Sequence, residues 1–268
     1  MDPESGVQPP SDPVDLSEPP DLPELPQPPE PPDPPDPART VIFEATSMTA
    51  FSTTNRRPRC VVLLPAVSGV DTSTTAAGLA LALASVQPAD VLLLDMDSAP
   101  PGTGLATRFG LYRTPPGALM PVAPRLTYEP TGPGELVGPW PERFGLLLVH
   151  CGPAPSWDVL DGALTIASSV LLLTPDTAAG LESATAALDW LCGGRRAELA
   201  REAVVVLAGE GEDGGVVTEG PLPGRCRVVL RIPAAAHLAV PGVLDPDLIP
   251  DGARDALLDL AKEVPGSA

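Results

Sequence analysis

The chain has 268 residues, a net charge of −19 and 43% apolar residues, whereas aromatic residues make up only 3%. This length suits one large domain or two small ones, with a core of aliphatic side chains. No run approaches the roughly 18 apolar residues of a membrane helix, and the N-terminus lacks the basic start of a secretory signal. We therefore expect a cytoplasmic protein without an integral membrane segment. The negative charge disfavours a nucleic-acid partner.

The first 38 residues differ in composition from the rest of the chain. They hold fifteen prolines and ten acidic residues with no Lys or Arg, and so account for about 10 of the 19 net negative charges. Proline lacks the N–H that helices and sheets use, and like charges repel. We therefore predict a disordered tail over 1–38 and a linker over 39–59. The tail is interpreted either as a passive spacer or as a polyproline II ligand for an aromatic groove or a basic partner.

From residue 60 onward, short apolar runs alternate with helical patterns. Runs of four or five residues rich in Val and Leu are typical of strands buried on both faces of a parallel sheet. The predicted strands are Cys60–Leu64, Val91–Leu94, Leu146–Val149, Val170–Leu173, Val204–Leu207 and Val228–Ile232. Helices are predicted over Thr74–Ser85, Ala178–Leu191 and Asp251–Val264, with Ser73 and Asp251 as candidate caps of the first and the last. The alternation predicts one three-layer α/β domain over 60–268, a mostly parallel sheet flanked by helices.

The segment between the first predicted strand and the first predicted helix carries the main motif. It reads Val67-Ser68-Gly69-Val70-Asp71-Thr72-Ser73-Thr74 and leads into an Ala/Leu-rich helix. The segment resembles the deviant Walker A motif, K-G-G-V-G-K-[ST]-T, of the MinD/ParA family of P-loop ATPases.

Further blocks resemble the same family and follow in the family's order over residues 60–264. The strand Val91–Asp97 is similar to the family's V-L-L-I-D-x-D, and Phe144–Cys151 occupies the place of its Walker B strand. Thr174-Pro175-Asp176 looks like the T-x-P-D element, and Ile232-Pro233 resembles the I-P segment near the base pocket. The C-terminal run looks like that of actinobacterial MinD-like proteins, some carrying proline-rich N-termini and encoded near type VII secretion systems. After Ile232-Pro233 it contains His237-Leu238, Leu244-Asp245, Leu248, Ala253-Arg254 and Leu257-Leu258-Asp259-Leu260.

The chain departs from the family pattern at the charged positions of the ATP site. The motif lysine falls on Thr72, a motif glycine on Asp71 and the Walker B aspartate on His150, while the one lysine of the chain, Lys262, closes the last predicted helix. A phosphate loop needs a cation to neutralise the phosphates. Asp71 instead adds a like charge, and at ~5 Å with an effective dielectric of ~20 the repulsion is ~3 kcal/mol.

The resemblance implies a degenerate phosphate loop with a vestigial magnesium site beside it. Its phosphate-loop positions are Gly69, Asp71, Thr72, Ser73 and Thr74. Ser73 and Asp97 are the vestigial magnesium-binding groups, and His150 occupies the position of the Walker B aspartate, which supports the metal. Asp97 also matches the family's water-positioning, catalytic carboxylate.

Each of these residues also has a purely structural interpretation. Ser73 serves as a helix cap, and Asp95 and Asp97 end a parallel strand where polar residues face the crevice. His150 serves as a hydrogen-bonded residue at a strand end, and it points away from its neighbour Cys151, which disfavours a Cys–His pair. The three tryptophans are interpreted as packing residues, and the four widely spaced cysteines as buried structural ones.

Two functions remain open from the sequence. The first is a non-catalytic MinD/ParA-like protein without a cofactor, acting as a scaffold or regulatory partner. A dimer with itself or with an active MinD/ParA-like ATPase then provides its protein contacts. The alternative is an unorthodox ATPase that binds ATP with magnesium weakly and acts in protein or DNA positioning or in secretion.

Overall fold

The computed structural model describes residues 58–68, 70–97, 103–112, 114–131, 140–141, 143–193, 196–209, 214–218, 220–233 and 242–264. The predicted tail over 1–38 lies outside the described residues. All but the last two residues of the predicted linker over 39–59 lie outside them as well.

Within the described residues, nine strands form one sheet. They are β1 Arg59–Pro65, β2 Asp90–Asp95, β3 Met120–Ala123, β4 Leu126–Pro130, β5 Phe144–His150, β6 Ser169–Pro175, β7 Val204–Gly209, β8 Gly215–Val216 and β9 Val228–Pro233. Their order is β3-β4-β2-β5-β1-β6-β7-β9-β8. The six predicted strands are confirmed and pair in parallel with their neighbours. The sequence did not predict β3, β4 and β8, and β3 and β8 run antiparallel at the two edges.

Helices connect the strands and cover both faces of the sheet. They are α1 Thr72–Val86, α2 Gly104–Arg108, α3 Trp157–Ile166, α4 Ala178–Cys192, α5 Ala197–Arg201 and α6 Asp251–Glu263. The three predicted helices are confirmed as α1, α4 and α6. The residue before α6 is Pro250, which makes no side-chain cap, so the predicted Asp251 cap is wrong. None of the helices in the described part of the chain is long and apolar enough to cross a membrane.

The core consists of two apolar layers, one on each side of the sheet. Along β1, Val61 and Leu63 pack into the layer that contains α1 and α6. Cys60, Val62 and Leu64 pack into the other layer, with α3 and α4. Because successive strand residues point to opposite faces, a continuous apolar run serves both layers. The predicted three-layer α/β architecture is confirmed.

The carboxyl ends of the central strands bring polar residues together. β2 and β5 pair with Asp95 opposite His150, and β1 pairs with β5 on its other side. Because β1 leads directly into α1, the amino end of α1 lies at this same edge of the sheet. In parallel α/β sheets, this is the edge at which ligands bind.

Candidate functional site

The loop after β1 places Asp71 at the start of α1. Its carboxylate accepts hydrogen bonds from the Thr74 backbone N–H at 3.2 Å and from the Thr74 hydroxyl at 2.6 Å. Asp71 is therefore the N-cap of α1, and the predicted Ser73 cap is wrong. A carboxylate suits this position because it accepts a hydrogen bond from an unpaired N–H and its negative charge interacts favourably with the positive end of the helix dipole. Gly69, which belongs to the predicted phosphate loop, lies outside the described residues.

A basic side chain that the sequence analysis missed offsets the charge of Asp71. Arg108 of α2 donates a hydrogen bond from Nη2 to the Asp71 carboxylate at 3.1 Å, and its side chain is only 10% exposed. No local pattern signals this pair, because the two residues are 37 positions apart. The negative charge that the sequence predicts at Asp71 is present, but an arginine neutralises it. The chain thus places its own carboxylate at the helix end where a phosphate loop would hold an anion.

A buried chain of hydrogen bonds lies beside this helix end. The Thr72 hydroxyl lies 2.8 Å from Nε2 of His150, and Nδ1 of the same ring lies 2.9 Å from Oδ1 of Asp95. On the far side, the Tyr128 hydroxyl donates to Oδ2 of Asp95 at 2.8 Å. Thr72 and His150 are fully buried, and the other two residues nearly so. We call these four residues the Thr72–Tyr128 network.

The positions of the protons in the network can be assigned from the groups that are able to donate a hydrogen bond. Burial, followed by the charge of Asp95 and its hydrogen bond, raises the pKa of Tyr128 far above its ordinary value, so the phenol stays protonated and donates. Asp95 also accepts from the Asp97 backbone N–H at 3.2 Å. Because an ionised carboxylate only accepts, Nδ1 of His150 must donate to it. In a neutral imidazole, Nε2 then accepts the proton of the Thr72 hydroxyl.

The network has the order hydroxyl, imidazole, carboxylate, as in a catalytic triad. Substrate access to the hydroxyl rules out this role. A nucleophile must reach a substrate carbonyl or phosphorus atom. Thr72 is 0% exposed and forms the first turn of α1, so no substrate atom can approach its oxygen. The predicted structural role of His150 as a hydrogen-bonded strand-end residue is confirmed.

Cys151 follows His150 in the chain but takes no part in the network. Its side chain packs into the layer of α3 and α4, whereas the His150 ring meets Thr72 of α1. Burial raises the pKa of the Cys151 thiol well above its ordinary range, so it remains an uncharged, poor nucleophile. The prediction that the two residues face apart is confirmed. Of the four cysteines, Cys192 is exposed, so the prediction that all are buried is wrong for that one.

Asp97 lies just beyond β2, against the chain that leaves β5. Gly152 has a φ of +79°, and a Cβ atom built there would come within 2.8 Å of the Asp97 carboxyl carbon. A glycine is therefore required for this close approach. The structure places Asp97 beside Gly152, and no local sequence pattern signals this close approach.

Comparison with solved structures shows which fold carries this site. A ParA family ATPase from Chlorobium tepidum TLS is 15% identical with a TM-score of 0.51, covering 76% of this chain and 98% of that one. MinD from Pyrococcus horikoshii OT3, complexed with Mg-ADP, is 16% identical with a TM-score of 0.53, covering 78% and 96%. A plasmid partition protein from Borrelia burgdorferi B31, bound to AMPPNP, is 14% identical with a TM-score of 0.51, covering 78% and 100%.

The domain has the MinD/ParA fold. No protein-family model matches the chain, and no curated protein sequence matches it. The likeness therefore rests on structure, and it supports the fold expected from the motifs.

The MinD/ParA fold raises the question of whether these residues suit ATP and magnesium. Triphosphate needs cations around its phosphates, and magnesium needs oxygen ligands. Thr72 offers only a neutral hydroxyl at the lysine position, and both nitrogens of His150 are already engaged. Ser73 is buried in the first turn of α1. Among the described residues, no group of three or more His, Cys, Asp or Glu side chains is placed to hold a metal ion. Thr72 and His150 therefore supply neither the cation nor the carboxylate that magnesium-ATP would need at these two positions.

The remaining MinD/ParA-like elements lie at the ends of β6 and β9. Asp176, after Thr174 and Pro175, forms an ion pair with Arg231 of β9, with a nitrogen–oxygen distance of 2.5 Å. The Thr174 hydroxyl donates to the backbone oxygen of Gly180 at 2.8 Å, which ties β6 to the first turn of α4. The sequence analysis missed Arg231, although it lies directly before the Ile232-Pro233 segment. Both contacts are consistent with structural roles.

Proposed function

We propose that this chain is a non-catalytic MinD/ParA-like protein that acts through protein contacts, as a scaffold or a regulatory partner. The observation that carries the proposal is the Thr72–Tyr128 network. It fills the positions of the motif lysine and the Walker B aspartate with groups that satisfy one another.

The physical reason is the charge balance at the site. Phosphoryl transfer depends on positioning and on neutralising the charge of the β- and γ-phosphates. Arg108, a cation beside the loop, is paired with Asp71 at 3.1 Å, so the pair adds no net positive charge. Binding an anion would require opening that pair and removing an N-cap. Without bound triphosphate and metal, Asp97 has no water to position.

The alternative is weak, unorthodox binding of ATP with magnesium, and one observation favours it. Arg108 stands beside the loop and is largely buried, so a rearrangement that frees it from Asp71 would supply a cation. Ser73 and Asp97 would then provide the magnesium-side and water-positioning groups. The network argues against this function, because His150 would have to give up one of its two hydrogen bonds to meet a metal.

The protein partner is either a second copy of this chain or an active MinD/ParA-like ATPase. Its support is the resemblance, since the family dimerises across the nucleotide and a decayed site leaves that pairing face. The same resemblance supports a cytoplasmic protein of an actinobacterial type VII secretion context. Partition-type DNA positioning is disfavoured, because a net charge of −19 repels a phosphate backbone.

An ATPase assay on the purified full chain tests the proposal. Phosphate release is followed with ATP and magnesium for the parent, Ser73→Ala and Asp97→Ala chains. We expect no turnover above the protein-free rate in any of them. Turnover by the parent that Ser73→Ala or Asp97→Ala abolishes would establish the alternative. Turnover that all three chains share equally indicates a contaminating enzyme, and the parent is then repurified and retested.

A further inference from the structure

Two of the three tryptophans stand on the surface, so their predicted packing role is wrong. Trp157 is 62% exposed and Trp190 is 42% exposed. Their rings meet edge to face, with centroids 5.9 Å apart and an interplanar angle of 75°. They belong to α3 and α4, on the opposite side of the sheet from α1 and α6. This pair therefore lies on the face of the sheet opposite α1.

A small apolar cavity and a fixed arginine adjoin the pair. The cavity has a volume of about 120 Å³, and Trp190 lines it together with Leu64, Pro65 and Leu160. The guanidinium of Arg196 lies 5.8 Å from the Trp190 ring centroid and forms an ion pair with Asp161 of α3. We call the two tryptophans, Arg196 and this cavity the tryptophan surface.

The two exposed rings cover a small area compared with an interface between folded proteins. A tryptophan has at most about 250 Å² to bury, so the exposed fractions of the two rings amount to about 260 Å². A stable interface between folded proteins buries about 800 Å² on each partner. The rings alone therefore suit a short segment of polypeptide rather than a second copy of this domain.

The geometry also selects the conformation of that segment. Strand addition needs a free sheet edge, whereas the tryptophans lie on helices and the edge strands are β3 and β8. A helical ligand needs a long apolar groove, and this cavity is small. Protruding aromatic rings beside an apolar cavity are the usual receptor for a polyproline II helix, which binds at low entropic cost because it is already extended.

The surrounding charge indicates which proline-rich segment fits. Asp158 and Asp161 lie on α3 close to the pair, and Asp189 precedes Trp190 on α4. Of the described arginines near the pair, Arg196 is paired with Asp161 and Arg225 with Asp189. Each pair is neutral overall, with its carboxylate more exposed than its arginine, and the exposed Asp158 adds one further negative charge among the described side chains. A ligand with basic side chains is complementary to it.

We propose that the tryptophan surface binds an extended, proline-rich segment of a partner protein that carries Arg or Lys among its prolines. The inference rests on the proposed role as an interaction protein and adds the surface and the chemistry of its ligand. The chain's own proline run, Pro28–Pro35, carries Glu30 and Asp33 and no base, so its charge does not match.

Fluorescence anisotropy with labelled peptides and the full-length chain tests the inference. The probes are a nine-residue peptide of three Pro-Pro-Arg repeats, its Pro-Pro-Glu and Gly-Ser-Arg counterparts, and a peptide spanning residues 27–36 of this chain. We expect saturable binding of the Pro-Pro-Arg peptide, and binding weaker by at least about tenfold in Trp157→Ala and in Trp190→Ala. The control is Tyr112→Ala, which removes an exposed aromatic ring elsewhere and should leave binding unchanged.

Four results would overturn the inference. The first is no binding of the Pro-Pro-Arg peptide, and the second is equal binding of the Gly-Ser-Arg peptide. The third is tighter binding of the acidic 27–36 peptide, and the fourth is self-association of the parent chain that the tryptophan variants lose. The third would identify the chain's own tail as the ligand, and the fourth a second copy. Each of these results can occur while the ATPase assay shows no turnover. Failure of the peptide-binding inference is therefore distinguishable from a finding that the chain is an active ATPase.

Discussion

Replacing Tyr128 with phenylalanine removes one oxygen from the Thr72–Tyr128 network and little else. The ring keeps its place in the core, including its contact with Phe109 at a centroid distance of 6.1 Å. Asp95, which is 6% exposed, loses the donor at Oδ2 and gains no water in exchange. A hydrogen bond to a charged group contributes about 1.5–3 kcal/mol. We expect Tyr128→Phe to lower the free energy of unfolding by about that amount.

Urea unfolding followed by far-UV circular dichroism measures the loss. With an m-value of about 3 kcal/mol/M, the midpoint should fall by about 0.5–1 M while m stays unchanged. The matched control is Tyr112→Phe, since Tyr112 is 56% exposed and the chain has two tyrosines in all. The control should stay within about 0.5 kcal/mol of the parent. Equal midpoints for Tyr128→Phe and the parent would refute the claim that the network is a satisfied structural unit.

The same variant has a pH signature. Since the folded-state pKa of Tyr128 is raised above its ordinary value of 10.0, the contribution of the phenol to stability is fully present below pH 10. It is lost as the pH rises from there towards the folded-state pKa. The stability difference between the parent and Tyr128→Phe should therefore narrow above about pH 10. A difference that widens over that range would contradict the direction of the pKa shift.

Three further predictions concern the helix cap, the thiols and the tail. Asp71→Ala should destabilise the chain by about 1–2 kcal/mol through loss of the N-cap. Asp71→Asn keeps the cap and should cost about 0–1 kcal/mol, because the carboxylate of the lost ion pair is half exposed. Equal losses in urea unfolding would contradict this. At pH 8 a thiol reagent should react rapidly with Cys192 alone, since burial raises the pKa of Cys60 to about 12, and rapid reaction at a second thiol would count against the core packing. Deleting residues 1–38 should leave the thermal midpoint nearly unchanged, and a fall of several degrees would show that the tail contributes to folding.

The central strands could be predicted because their signal is local. Each is a run of Val and Leu buried on both faces, and such a run stands out in any window of the sequence. The hairpin of β3 and β4 was missed because Pro121, Pro124 and Pro130 are typical of loops. In the structure, Pro121 lies on the edge strand β3, Pro124 in the turn and Pro130 at the last position of β4, and edge strands and strand ends tolerate proline. β4 carries Tyr128, so the network could not be completed from the sequence.

The site itself was only partly predictable, because its partners come from distant parts of the chain. Asp95 and His150 each end an apolar run, and the pairing of β2 with β5 brings them into register. Because polar residues at the ends of parallel strands face the crevice, the sequence identified both residues as candidates. It did not predict the contact between them. The salt bridge between Arg108 and Asp71 depends on where a short helix packs, and no spacing rule encodes that.

Equilibrium binding of a fluorescent ATP analogue with magnesium tests whether the chain has lost the ATP site of the MinD/ParA fold. The parent is titrated beside Ser73→Ala and beside the triple variant Asp71→Gly, Thr72→Lys and His150→Asp, with folding of each checked by circular dichroism. We expect no saturable binding by the parent up to about 1 mM nucleotide, and recovered binding if the triple variant folds. Saturable, magnesium-dependent binding by the parent that Ser73→Ala weakens would contradict it, whatever the triple variant does.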